Sequence, residues 1–127
     1  LGLYGDLYAN KEYSIAGDAV LNAVATIRTF DLGKPKSLRV KNSLLSEAIR
    51  IYGLQPKVRH DSHDMAELYE AIIGYAFINS VLTFEDILKA IREAGNSLES
   101  SETYVCLLKK IISAIRSKRG NKIEVLS

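Results

Sequence analysis

A chain of 127 residues, 47% hydrophobic and with a formal charge of +2, fits one compact domain with a real core, residues 1–127, and leaves no length for a second. The mildly basic balance permits contact with nucleic acid without requiring it, and the longest uncharged run falls well short of the roughly 20 residues that cross a bilayer. A single cysteine excludes a disulfide framework and no basic-then-apolar leader opens the chain, so a soluble protein of the cytoplasm, with no membrane partner, is expected.

Five helices and no convincing hairpin are readable. The opening LGLYGDLYANKE shows no recognisable helix. From about Ile15 to Phe30, Ile15, Val20, Leu21, Val24 and Ile27 recur at helical spacing, and Gly33 and Pro35 punctuate the turn after them. The basic stretch KPKSLRVK leads to a second helix near Asn42 to Tyr52, with Leu44, Leu45, Ala48 and Ile49 as its buried stripe and Gly53 as its stop. The third, about Asp64 to Asn79, is apolar nearly all round, which predicts a central position. Thr83, with Asp86 three residues on, predicts the capped start of a fourth helix running to Gly95. A fifth, about Glu102 to Ser117, turns Val105, Leu108, Ile111, Ile112 and Ile115 inward and places Cys106 as a small core residue; residues 118–127 read as a frayed tail. Long β-branched runs are missing, so the fold class expected is all-α.

Two apolar segments carry carboxylates that a helical core does not need. Asp18 is the only charge between Tyr13 and Ile27; Glu67 and Glu70 are the only charges between Met65 and Asn79. Three residues apart on a helix, Glu67 and Glu70 are neighbours, and antiparallel packing of the first and third helices brings Asp18 to them. Converging carboxylate oxygens are what Mg²⁺ or Mn²⁺ takes, and such a cation can activate water against a phosphodiester. The alternative from spacing alone is a solvated helix edge for the glutamates and a helix-start cap for Asp18. Small residues Ala66, Ala71 and Gly74 allow close approach of another backbone beside Glu70.

A second cluster, His60, Asp61, His63 and Asp64, matches no standard zinc spacing and is explained by a solvated loop running into an aspartate cap. Basic residues gather at Lys34, Lys36, Arg39 and Lys41, and again at Lys109, Lys110, Arg116, Lys118, Arg119 and Lys122. Both groups read equally as phosphate contacts or as solvated surface.

YSIAGDAVLNAV resembles the signature helix of the ribonuclease III family, where an aspartate follows a glycine and opens an apolar run. AELYEAIIGYAFIN resembles the family's second acidic motif, and RVKNSLLSEAIRIYGL, with Asn42, its connecting helix. The three occur in the family's order over about Tyr13 to Asn79. The resemblance implies a helical endonuclease-domain bundle that dimerises through its signature helices and cuts double-stranded RNA with Mg²⁺. It puts Asp18 on the signature aspartate, Glu70 on the essential glutamate and Glu67 on an aspartate position. Ser14 and Lys11 stand where the family has acids. With EAIIGY and no double-stranded RNA-binding domain, the chain is similar to the short mini-ribonuclease III branch or to an archaeal-type divergent member.

The resemblance supports two functional expectations. The first is a homodimeric, Mg²⁺- or Mn²⁺-dependent endoribonuclease using Asp18, Glu67 and Glu70, with Glu12 or Asp64 supplying a missing ligand. The second, motivated by Lys11 and Ser14, is a catalytically degenerate relative that binds structured RNA or joins a ribonucleoprotein.

Overall fold

The computed structural model describes residues 10–54 and 62–119, which form five α-helices and, among the described residues, no strand. They are α1 (Lys11–Asp31), α2 (Asn42–Tyr52), α3 (Ser62–Ile78), α4 (Phe84–Ala94) and α5 (Ser101–Arg119). The all-α expectation holds. The opening segment, His60, Asp61 and the chain beyond Arg119, including Lys122, lie outside the described residues.

Local chemistry sets most boundaries. α1 starts a full turn before the apolar periodicity does, because the side chain of Asn10 accepts the Tyr13 N–H at 3.1 Å and caps the helix there. Asp18 therefore lies inside the helix and caps nothing. Gly53 stops α2 in the left-handed region, at φ 98°, where its N–H reaches the Ile49 carbonyl at 3.0 Å. Thr83 and Asp86 form the expected capping box on α4, each side chain accepting the other's backbone N–H, at 3.0 and 2.9 Å. α5 continues through residues 118 and 119, past the end expected at Ser117 and into the stretch expected to fray.

α3 is the central helix, packed by α1, α2 and α5, while α4 bridges α1 and α5. Leu68, Tyr69, Ile72, Ile73 and Ala76 are fully buried. Tyr69 is tolerated there because its hydroxyl donates to the Tyr104 carbonyl at 2.6 Å, and the Tyr104 hydroxyl donates to the Leu98 carbonyl at 2.7 Å.

Two apolar expectations are corrected. Ile15 is 70% exposed, since the face of α1 against α3 is built from Ser14, Gly17, Leu21 and Val24, on the other side of the helix. Cys106 is exposed because it shares the outer face of α5 with Glu102, Lys109 and Lys110, opposite Leu107, Leu108 and Ile111.

Candidate functional site

The site begins with two glycines. A Cβ on Gly17 would overlap the backbone carbonyl of Glu70, and one on Gly74 would overlap that of Tyr13, so α1 and α3 touch backbone to backbone. The contacts run in opposite chain directions, from Tyr13 with Gly74 to Gly17 with Glu70, which makes the two helices antiparallel at the crossing. Tyr13 locks the register: its ring meets Tyr75 edge-on at 5.4 Å, and Asn79 donates to its hydroxyl at 3.2 Å.

Asp18 follows Gly17 directly and Glu70 is the residue Gly17 touches, so the crossing sets their carboxyl groups beside one another, close enough to interact. Glu70 is 9% exposed. Burial pushes its carboxyl up to about 8, the hydrogen bond to Asp18 and the charges of Asp18 and Glu67 add to this, and Arg39 opposes it. Each of these influences except Arg39 disfavours the charged form of Glu70.

Asp18 has two further partners. Asn22, one turn on, donates to it at 3.1 Å and accepts the Val40 N–H at 2.9 Å, and Arg39 lies 3.6 Å away. Glu67 is engaged differently. Lys11 donates to both of its oxygens, at 2.9 and 3.1 Å, and His63 Nε2 is 3.4 Å away. The three carboxylates named from sequence are thus divided into an adjacent pair, Asp18 with Glu70, and a flanking acid that faces a lysine. Among the described residues no group of three acidic, histidine or cysteine side chains converges to hold a metal. Glu12 is exposed and Asp64 is half-buried in the first turn of α3.

The donor chemistry of the pair fits a hard divalent cation, which takes carboxylate oxygens, keeps several waters and is often held by only one or two carboxylates. A cation's positive charge would offset the mutual repulsion of the two carboxyl groups when both are ionised. Asp18 and Glu70 are the residues that would hold it.

Three side chains at the site gain their roles only in the folded chain. Asn22 has a signal in the sequence, as a polar residue four positions after Asp18 on a helix. Arg39 and Lys11 show there only as part of a basic stretch and as a replaced acid, because their pairing depends on where α1, α3 and the α1–α2 connection meet. The family model for ribonuclease III matches residues 11–116, from the first residue of α1 into the last turns of α5, and so takes in every residue of this site. No curated protein matches the chain. With the match covering most of the sequence and all five helices of the bundle, the chain belongs to the ribonuclease III family.

Proposed function

We propose that this protein is a divalent-metal-dependent endoribonuclease that hydrolyses phosphodiester bonds in double-stranded or structured RNA, with Asp18 and Glu70 as the metal-holding pair and Glu67 as the flanking acid. The observation that carries this reading is the juxtaposition of two carboxyl groups across the Gly17–Gly74 crossing, one of them buried, with its carboxyl pushed up by burial and by the acids beside it. Such a pair stores unfavourable charge that a cation relieves, an arrangement typical of working sites. Bound there, Mg²⁺ or Mn²⁺ would supply a Lewis acid that activates water and stabilises charge on a phosphodiester oxygen. Asn22 orients Asp18, the glycine contact fixes the backbone beneath Glu70, and Lys11 offsets the charge of Glu67.

A homodimer suits the outer side of α1. Ile15, Ala19 and Phe30 are exposed there along one stripe facing away from α3, with Ile15 at 70% and Phe30 at 63%, an apolar surface that a second copy would cover. A cytoplasmic setting suits the free Cys106.

One observation favours the second reading, a degenerate relative that binds RNA without cutting it: Lys11 occupies both oxygens of Glu67 and Ser14 is buried at a position where the family has an acid. The deciding experiment incubates the purified protein with duplex RNA in Mg²⁺ and, separately, Mn²⁺, beside Asp18→Asn and Glu70→Gln. Cleavage by the wild type that both substitutions abolish is expected. Retention of duplex RNA with no cleavage in either metal establishes the second reading instead.

A further inference from the structure

The α1–α2 connection is held to α1 by a ladder of side chains. Thr29 Oγ1 accepts the Lys36 N–H at 3.0 Å, Thr26 Oγ1 accepts the Leu38 N–H at 2.9 Å, and Asn22 Oδ1 accepts the Val40 N–H at 2.9 Å. Three alternate N–H groups aimed at one partner require an extended chain, which rises about 3.3 Å per residue, and this one runs antiparallel to α1. Leu38 and Val40 pack against the core beneath it.

What the strap displays is positive charge. Lys34, Lys36, Arg39 and Lys41 are all exposed, and among the described residues Lys34, Lys36 and Lys41 form no ion pair. Arg39, between Lys36 and Lys41, reaches Asp18 at 3.6 Å, so the basic strap passes beside the proposed metal-holding pair. A flexible basic loop would lose conformational freedom on gripping a polyanion; this backbone is ordered before any ligand arrives, which lowers the entropic cost of binding.

We propose that the strap 34–41 is a preformed rail for the phosphate backbone of an RNA duplex, which lays one strand along α1 and leads it to Asp18 and Glu70. The inference rests on the endoribonuclease reading for its ligand, and adds to it where the strand is held. Contacts of this kind read backbone and shape, so the rail confers position without base preference.

The test is binding of a labelled RNA duplex, followed by fluorescence anisotropy in EDTA across a series of KCl concentrations. Wild type is compared with K34A/K36A/K41A, with the charge-conserving K34R/K36R/K41R, and with K109A/K110A on the outer face of α5. Each lost phosphate contact lowers the slope of log affinity against log salt by roughly 0.7 to 0.9, so the alanine triple should lose about 2 to 3. The arginine triple and the α5 pair should keep the wild-type slope. An unchanged slope in the alanine triple, with duplex still bound, overturns the rail and leaves the endoribonuclease reading standing. Failure of wild type to bind duplex RNA overturns both. Binding of heparin as tightly as duplex RNA overturns the assignment of the rail to RNA.

Discussion

Two carboxylate sites on the same helix respond to their surroundings in opposite ways. Near the start of α1, Asp18 meets a second carboxyl, and Glu70 is pushed up to about 8. At its last residue, Asp31 meets Arg92 at 2.7 Å and Arg28 at 3.4 Å, and its carboxyl is held below the usual range, chiefly by the hydrogen bond from Arg92. The second site also ties α1 to the turn after α4: Arg28, nearly buried, donates to the Gly95 carbonyl at 3.2 Å and to Asn96 at 3.0 Å. One end of the helix satisfies its acid with cations and serves the fold. The other sets acid against acid, at a cost to stability, and is the end where chemistry is expected.

The comparison is broken most completely at the helix crossing. Gly17→Ala drives a methyl group into the Glu70 backbone, so α1 and α3 must separate, and we expect a loss of about 3 kcal/mol or more and a fall in Tm of roughly 10 °C or more. A thermal melt within about 2 °C of wild type would mean that the two backbones are not in contact. At the other end, Arg28→Met keeps the aliphatic volume and strips Asn96 and the Gly95 carbonyl of their donor. A loss of about 2 kcal/mol by urea unfolding is expected, with Asp31 still paired to Arg92.

pH separates the two sites by sign. Glu70 has a folded pKa near 8, above its ordinary value of 4.5, so it binds more protons folded than unfolded between these values. Its stabilising contribution is full below about pH 4.5 and lost as pH rises through about 8, a change on the order of a few kcal/mol. Asp31 is lowered, so its contribution is present above its ordinary 3.8 and lost as pH falls below it. Urea midpoints measured from about pH 3 to about pH 9 should therefore fall on the alkaline side in wild type and flatten there in Glu70→Gln, with the acid limb unchanged.

The smallest effect on stability concerns Lys11. Its pair with Glu67 is largely solvated, so Lys11→Ala should change unfolding by under about 1 kcal/mol. It nonetheless removes a cation from the acidic site, and Mn²⁺ binding by calorimetry should tighten several-fold. Equal Mn²⁺ affinity in wild type and variant would show that Lys11 does not set the charge of the metal-holding pair.

Much of the fold is legible in the sequence because its signals are local. α2 falls on its predicted residues, Thr83 and Asp86 make the predicted box, and the all-round apolar character of α3 marks the central helix. The differences are of another kind. Asn10 caps α1 ahead of its apolar stripe, Ile15 is a large apolar residue on the outer side, and Cys106 lies between buried neighbours on a helix that turns it outward. Periodicity predicts a face; it does not say which residues will make the closest contact, and at α1 these are serine and glycine.

Residue type at short spacing is enough to specify the helices, the ends marked by Gly53 and by Thr83 with Asp86, the family and the three acids. Which acids meet is a property of the packed bundle alone. Gly17 and Gly74 let two backbones touch, and that contact sets Asp18 against Glu70 while leaving Glu67 to Lys11. Distance accounts for the division: charge interactions and hydrogen bonds change over an ångström or two, a scale fixed by how helices cross and invisible in their separate sequences.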